Sequence, residues 1–220
     1  MRRSHRTKKI MALIIAPLSF LVIGYGLIYV LAEPMIRPLY SIYSLITSEY
    51  GPGFDNQSKT LYTGIIENKD ILTIHDVTTP NVGDQYGEIK ITRVGLKTNL
   101  YYGDSEEILY NGAGQYQGSF LPGFGKTILI AGHTIPYFQK LGDVEIGDVV
   151  YISTHYGSYE YKVTATTIGN YNDSSLYDLS QTAKEQLILY TCYPLDGIGF
   201  KQERLFVYAD KISGPDVKGD

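Results

Sequence analysis

The stretch QLILYTCYP, residues 186–194, decides both the fold and the chemistry that this chain can carry. Its isoleucine, tyrosine and threonine residues favour a β-strand. Pro194 cannot donate a hydrogen bond to a sheet, so it ends the strand and leaves Cys192 beside a loop, where functional groups are common. Alternation along the strand sends two sets of side chains to opposite faces, namely Leu187, Leu189 and Thr191 to one and Ile188, Tyr190 and Cys192 to the other.

A second strand is predicted for RLFVYAD, residues 204–210, with eleven residues between Cys192 and Arg204. If the two strands form an antiparallel hairpin, the end of the first lies beside the start of the second, about 4.8 Å away. Parity then puts Arg204 and Phe206 on the same face as Cys192. We predict that Cys192 and Arg204 project into one aromatic-lined groove, where the guanidinium can hold a thiolate, a carbonyl or an oxyanion.

A reactive thiol also needs a partner, because a free cysteine with a pKa of about 8.5 is mostly protonated at neutral pH. Beyond residue 32 the chain has three histidines: His75, His133 and His155. His75 and His155 lie in loop-like and turn-like segments, and we interpret them as surface residues. His133 ends the apolar run 127–131 in the way that Cys192 ends its own strand. Spacing alone leaves open whether His133 is catalytic or an ordinary histidine at a strand edge.

Short segments rich in β-branched and aromatic residues alternate with turn clusters between residues 61 and 210. The segments predicted as strands are Leu61–Ile66, Glu88–Val94, Thr127–Gly132, Asp148–Ser153, Tyr159–Ile168, Gln186–Thr191 and Arg204–Asp210. Short helices are predicted at Ser105–Asn111 and Leu179–Glu185. Many short strands separated by turns are typical of a sandwich or a closed barrel, so the predicted fold class is mainly β.

Composition excludes several classes of protein. The 220 residues are 44% hydrophobic and 19% charged, which is typical of a globular chain and argues against disorder. The formal net charge of -4 argues against nucleic-acid binding. A single cysteine excludes an intramolecular disulfide and a zinc site built from several thiolates. No EF-hand spacing and no His-x-x-x-His pair occurs, so we predict no metal and no cofactor.

The N-terminus has the pattern of a membrane anchor. Residues 1–9 contain five basic side chains and no acid, and residues 10–32 are 23 consecutive uncharged residues. As a helix the second segment would span roughly 35 Å, enough for a hydrocarbon core of about 30 Å. The positive-inside rule then predicts a cytoplasmic tail at 1–9, a single-pass transmembrane helix at 10–32 and an extracellular remainder.

The extracellular remainder divides into a stalk and a folded domain. Prolines and glycines indicate a stalk at 33–59, and the folded domain follows at 60–220. A cleaved signal peptide is the competing interpretation of the N-terminus, although the apolar core of a signal peptide is usually shorter, about 7–15 residues. Both interpretations deliver the folded domain to the outside of the cell.

The motifs of this domain resemble those of the sortase family. Residues 189–192, Leu-Tyr-Thr-Cys, are similar to the sortase signature Thr-Leu-x-Thr-Cys, and 131–133, Ala-Gly-His, are similar to the sortase histidine segment. Arg204 occupies the position of the sortase arginine, and the similarity covers about residues 61–212. Within the family, the cysteine segment and the short polar C-terminus most resemble class D. Ile188 departs from the signature, which usually has threonine there, and this bears on substrate fit.

The resemblance implies a closed eight-stranded β-barrel and a membrane-anchored cysteine transpeptidase. Cys192 would attack the threonine carbonyl of an LPxT-type sorting signal, His133 would transfer protons, and Arg204 would bind the substrate or the oxyanion. The thioacyl-enzyme would pass a surface protein to a cell-wall amine on a lipid-linked peptidoglycan precursor. The segment Gly169–Glu185 would help to form the groove for the signal. The predicted groove residues are Ala131, Ile188, Tyr190, Thr191 and Phe206.

Two other functions stay open on the residues alone. A hydrolytic cysteine peptidase would use the same pair, Cys192 and His133, without transferring its product to an amine. A non-enzymatic, membrane-anchored surface protein would have a buried Cys192 that does not react with alkylating agents. Some sortases bind calcium to order a loop, but this sequence shows no carboxylate cluster that indicates such a site.

Overall fold

The computed structural model describes residues 15, 17–28, 59–64, 71–180, 184–196, 199 and 201–219. Within them the chain forms ten strands: β1 (Ile71–Thr73), β2 (Gln85–Ile91), β3 (Leu96–Tyr102), β4 (Ala113–Gln115), β5 (Ile128–Ala131), β6 (Val149–Thr154), β7 (Ser158–Asn170), β8 (Gln186–Tyr193), β9 (Glu203–Ser213) and β10 (Asp216–Lys218). The helical segments after residue 70 are short, and they are Ile74–Asp76, Glu106–Leu109, Thr134–Phe138, Gln139–Asp143 and Ser174–Tyr177.

Eight of these strands close into a barrel in the order β2-β3-β4-β5-β8-β9-β7-β6. Most neighbours are antiparallel, but β3 pairs with β4 and β5 pairs with β8 in parallel. The other two strands, β1 and β10, form a small parallel sheet of their own. The structure therefore confirms the mainly β fold and the closed eight-stranded barrel that the resemblance implied.

Two predicted elements are wrong in their described parts. The predicted strand Leu61–Ile66 is not a strand at its described residues, and Thr60 just before it makes a single bridge to β2. The described ends of the predicted helix Leu179–Glu185 are not helical. The helical turn of this loop lies earlier, at Ser174–Tyr177, because the Asp173 side chain caps it there.

The inward faces of the strands fill the barrel. Ile128 and Ile130 of β5 are Cα partners of Leu187 and Leu189 of β8, and all four side chains are fully buried in the core. Burying each such side chain contributes roughly 1.5–3 kcal/mol. A slip of β5 by one residue would turn Ile128 and Ile130 outward, so this face fixes the register of β5 against β8.

The outward face of the same strands carries a second, smaller apolar cluster. Its buried members are Leu129, Ile188 and Phe206. Leu176 and Tyr177 of the loop between β7 and β8 pack against it. The Tyr208 hydroxyl donates to the Leu176 carbonyl oxygen at 2.9 Å and holds this loop down. The β7–β8 loop therefore covers the face of the sheet on which Cys192 lies.

The predicted N-terminal anchor is covered only in part. Of residues 10–32, the structure describes residue 15 and residues 17–28, which are helical and expose apolar side chains such as Phe20. In the described part of the chain, no helix combines the length and the hydrophobicity needed to cross a membrane. The predicted tail at 1–9 and the predicted stalk, apart from Lys59, lie outside the described residues.

Candidate active site

Cys192 and Arg204 face each other across the β8–β9 hairpin. They are Cα partners in an antiparallel ladder that runs from Gln186 opposite Asp210 to the end of β8. Directly opposed residues in such a ladder point to the same face, with Cβ atoms about 4.5–5.5 Å apart. Both residues are half-buried. The structure thus brings together the thiol and the guanidinium that the hairpin argument placed on one face.

His133 lies two residues after the end of the adjacent strand β5, level with Cys192. The parallel ladder of β5 and β8 ends where Ala131 pairs with Tyr190, and the Gly132 N–H donates to the Tyr190 carbonyl oxygen at 3.2 Å. His133 keeps an extended backbone, with φ -61° and ψ 142°. His133 and Cys192 each follow that last pair by two residues, so both continue the face of Ala131 and Tyr190.

Burial sets the protonation of His133. Its ring centroid lies 5.3 Å from that of Tyr110, and its Nε2 is buried with no hydrogen-bond partner among the described residues. Desolvation lowers the pKa of His133, and the negative charge of Glu106 opposes this shift. The neutral imidazole is therefore favoured near neutral pH, and in that form it can accept a proton.

Two carbonyl oxygens and an aromatic ring hold the Arg204 guanidinium in place. Its Nη1 donates to the carbonyl oxygens of Lys201 at 2.8 Å and Glu203 at 3.0 Å. The ring of Tyr171 faces the guanidinium carbon, with its centroid 5.4 Å away. Because a guanidinium carries five N–H donors, it can keep these contacts and also bind a substrate carbonyl or an oxyanion.

Four of the five predicted groove residues lie on the Cys192 face. Three of them, Ala131, Ile188 and Phe206, are buried. Tyr190 is half-buried, and its ring stacks on that of Phe206 with centroids 5.8 Å apart. Tyr177 from the β7–β8 loop meets Tyr190 and Phe206 edge-on, at 5.5 Å and 5.1 Å between centroids. Tyr177 therefore forms an aromatic cover over the floor of the groove.

The fifth predicted groove residue, Thr191, points the other way. Alternation turns it towards the interior, where it is 2% exposed. Its hydroxyl donates to the Gly132 carbonyl oxygen at 2.8 Å. Thr191 therefore does not line the groove, and its place in the predicted groove is corrected to a structural contact between β8 and the histidine segment.

Three residues around the site escaped the sequence reasoning. Tyr171 and Tyr177 lie in the β7–β8 loop, which the family resemblance marked only as a region, Gly169–Glu185. Nothing in the strand pattern distinguishes these two tyrosines from others in the chain. Thr134 directly follows His133, and this adjacency is the one signal that could have drawn attention to it.

The gathered side chains can form and break an acyl bond. A thiol can act as nucleophile, a neutral imidazole as base and then as acid, and a guanidinium as the donor to an oxyanion. Among the residues that the structure describes, no group of three or more histidine, cysteine, aspartate or glutamate side chains is arranged to hold a metal ion.

Comparison with known proteins identifies the family. A family model described as the Sortase domain matches residues 89–212, which include the thiol, the imidazole and the guanidinium. This chain belongs to the sortase family. A curated relative of this sortase, Sortase D of Bacillus subtilis (strain 168), is 30% identical over 134 residues, which are 61% of this chain and 67% of the relative. Sortases are cysteine transpeptidases, so the family supports an enzyme built on the single cysteine.

Solved sortase structures share the fold. A sortase C from Clostridium perfringens, solved with the C-terminal cell wall sorting motif, is 28% identical, with a TM-score of 0.55 and coverage of 60% of this chain and 73% of that chain. A sortase D transpeptidase from Clostridium perfringens is 23% identical, with a TM-score of 0.55 and coverage of 60% and 82%. The relative from Bacillus subtilis, a sortase D, makes this a class D-like sortase, as the cysteine segment and the short polar C-terminus predicted.

Proposed function

We propose that this sortase cleaves a C-terminal sorting signal of the LPxT type after its threonine and joins the surface protein to a cell-wall peptide amine. The observation that carries the proposal is the meeting of Cys192, His133 and Arg204 on one face, at one end of the adjacent strands β5, β8 and β9. A sortase C from Clostridium perfringens has been solved with a C-terminal cell wall sorting motif, which supports a substrate of this kind.

The first half of the reaction forms a thioacyl-enzyme. The Cys192 thiol loses its proton to the neutral His133 imidazole, and the sulfur electron pair attacks the threonine carbonyl carbon. The carbonyl oxygen becomes an oxyanion, to which Arg204 donates hydrogen bonds. Collapse of the oxyanion breaks the C–N bond, and His133 returns the proton to the leaving amine. The acyl group is then held on sulfur, as covalent catalysis requires.

The second half passes the acyl group to an amine. Neutral His133 takes a proton from the incoming nitrogen, which attacks the thioester carbon. The C–S bond breaks as the amide forms, and His133 returns the proton to the Cys192 sulfur. Burial lowers the pKa of His133 and so keeps the base form available for both halves.

The sorting signal would cross the outward face of β8 and β9. Tyr190 and Phe206 form an aromatic floor there, and Tyr177 covers it from the β7–β8 loop. Apolar and aromatic linings with few polar groups are typical of sites that bind apolar side chains, such as the leucine and proline of the signal. The signal would pack against Tyr177 on its way to the thiol.

We also propose that an N-terminal transmembrane helix anchors the enzyme in the cell membrane. Residues 1–9 would be cytoplasmic, 10–32 would form the anchor, and the catalytic domain would be extracellular. The support is the basic cluster followed by 23 uncharged residues. Exported surface proteins and a lipid-linked peptidoglycan precursor both reach that face of the membrane, so both substrates would meet the enzyme there.

The test uses full-length protein in detergent micelles with a library of quenched fluorescent LPxT-x peptides, each with and without amine acceptors. We expect cleavage after the threonine, transfer to an amine, and loss of both in Cys192→Ala. His155→Ala is the matched control, because the His155 ring contacts the Thr78 carbonyl oxygen, away from the thiol. This variant should turn over like the wild type.

The alternatives predict different results. If water hydrolyses the thioacyl-enzyme even when amine acceptors are present, and no acceptor gives an amide product, the result favours a hydrolytic cysteine peptidase. No cleavage across the library, together with a Cys192 that resists iodoacetamide in the folded protein, favours a non-enzymatic surface protein. Turnover that survives in Cys192→Ala contradicts the proposal directly.

A further inference from the structure

Two buried threonine hydroxyls tie the cysteine strand to the histidine segment. Thr191 Oγ1 donates to the Gly132 carbonyl oxygen at 2.8 Å. Thr134 Oγ1 lies 3.1 Å from the Cys192 carbonyl oxygen and 3.0 Å from Thr191 Oγ1. Thr134 is 3% exposed and Thr191 is 2% exposed. Water therefore competes little for these contacts.

The number of hydroxyl protons fixes the direction of the hydrogen bonds. A threonine hydroxyl has one proton to donate and two lone pairs to accept with. Because Thr191 uses its proton on Gly132, it can only accept from Thr134, which shares its single proton between Thr191 Oγ1 and the Cys192 carbonyl oxygen. Thr134 therefore donates from the histidine segment to the main chain of Cys192, and Thr191 donates from the cysteine strand back to the histidine segment.

These contacts lie where the regular pairing of β5 with β8 stops. The ladder ends where Ala131 pairs with Tyr190. The chain after β5 then turns into the segment Thr134–Phe138, away from a strand path. Beyond the ladder, the hydroxyl contacts take over the role of holding the two segments in register.

We propose that Thr134 is a positioning residue for transpeptidation, because its hydroxyl holds the Cys192 main chain so that the thiol stays aligned with the His133 imidazole. The inference rests on the proposed function, since this alignment matters to turnover only if the thiol is the nucleophile. Thr134 acts through Cys192 and contacts no reacting atom. A misplacement of about 1 Å in a reacting group can lower a rate about 100-fold.

Thr134→Val removes the hydroxyl and keeps the shape of the side chain. We expect kcat for peptide cleavage to fall about 10- to 100-fold, because the nucleophile loses its alignment. We expect KM to change less than about twofold, because the groove contacts are untouched. Thr134→Ser restores the hydroxyl and should bring kcat to within about threefold of the wild type.

Thr127→Val is the matched control. Thr127 is fully buried directly before β5, and its Oγ1 has no hydrogen-bond partner among the described residues. The same change of hydroxyl to methyl therefore removes no hydrogen bond there. We expect this variant to keep kcat within about twofold of the wild type.

A second readout needs no peptide substrate. Cys192 is the single cysteine of the chain, so alkylation of the protein by iodoacetamide reports its thiolate. We expect Thr134→Val to slow the alkylation of Cys192 at one fixed pH, because the thiol loses its alignment with the His133 imidazole, and we expect Thr134→Ser and Thr127→Val to react at the wild-type rate. If the wild type is alkylated but cleaves no peptide, the proposed function fails while the alkylation series still decides the role of Thr134.

Three results would overturn the inference. One is a Thr134→Val protein with wild-type kcat and alkylation rate. Another is a loss of kcat that follows the melting temperature equally in Thr134→Val and Thr127→Val. The third is a Thr134→Ser protein that stays as slow as Thr134→Val. Should Thr134→Val not fold, Thr134→Ala fits the same space with a smaller side chain and is judged by the same criteria.

Discussion

Replacing Glu185 by glutamine should destabilise the barrel strongly, although Glu185 lies far from the thiol. Its side chain is buried, at 4% exposure, directly before β8. The carboxylate accepts from the Gly123 N–H at 3.0 Å and 3.1 Å, from the Gly125 N–H at 2.8 Å and from the Tyr161 hydroxyl at 2.5 Å. These bonds join the loop before β5 to the start of β8.

The expected loss follows from the number of donors. A hydrogen bond to a charged group contributes about 1.5–3 kcal/mol, and a buried donor without a partner costs about 1–3 kcal/mol. Glutamine has one acceptor oxygen, and its amide NH2 would face the N–H and O–H groups that the carboxylate now serves. One buried donor without a partner and one weakened hydrogen bond together lower the free energy of unfolding by about 3 kcal/mol. For a domain of this size, that lowers the melting temperature by roughly 6–12 °C.

The assay is unfolding by heat and by urea, followed by far-UV circular dichroism because the chain has no tryptophan. Glu145→Gln is the matched control, since the Glu145 side chain is 78% exposed and lies 3.6 Å from Arg93. It should change stability by less than about 0.5 kcal/mol. Glu185 is about 23 Å from Cys192 along β8, so turnover well below the melting temperature should stay near wild type. Equal melting temperatures for the two variants would refute the reasoning.

Three further outcomes are expected. Burial lowers the pKa of His133, so the unfolded chain binds more protons than the folded chain below about pH 6.5, and stability falls as the pH drops through that range. Between pH 8 and pH 5, the melting temperature should therefore fall less steeply for His133→Gln than for the wild type. Tyr171→Leu removes the ring at the Arg204 guanidinium and should lower kcat/KM about two- to fivefold in the peptide assay, whereas Tyr171→Phe keeps the ring and the rate. Gly123→Ala should lower the free energy of unfolding in urea by about 1–3 kcal/mol, because φ is +95° and a Cβ would lie 2.7 Å from the Tyr159 hydroxyl. Gly95→Ala is the control and should lose less, because φ is +67° but the space around the position is open.

The part of the site that depends on local pattern could be predicted from the sequence. Alternation within two strands, joined by a short connection, is enough to put Cys192 opposite Arg204, and the structure has them as Cα partners. The same alternation turns Thr191 inward, so its place in the predicted groove conflicted with the strand pattern itself.

The parts that depend on long-range pairing could not be predicted in this way. His133 reaches Cys192 through the parallel pairing of β5 with β8, and no spacing rule joins strands so far apart in sequence. The three-residue strand β4 is too short to show a period, although it closes the barrel between β3 and β5. The helical turn at Ser174–Tyr177 depends on the Asp173 cap, a local signal that did not single out this segment over the predicted helix Leu179–Glu185.

The parallel pair β5–β8 explains why the site lies where it does. The carboxyl ends of two parallel neighbours meet at one edge of a sheet, and this brings His133 and Cys192 level. A four-residue strand such as β5 has few ladder bonds to hold that register, and a slip of one residue would turn His133 to the other face. The pair is tied at both ends instead, by Glu185 before the ladder and by the hydroxyls of Thr191 and Thr134 after it. The Glu185 hydrogen bonds should therefore control stability, and the hydroxyls of Thr191 and Thr134 should control turnover. In a Glu185→Gln, Thr134→Val double variant, the loss of stability and the loss of turnover should each match that of the corresponding single variant.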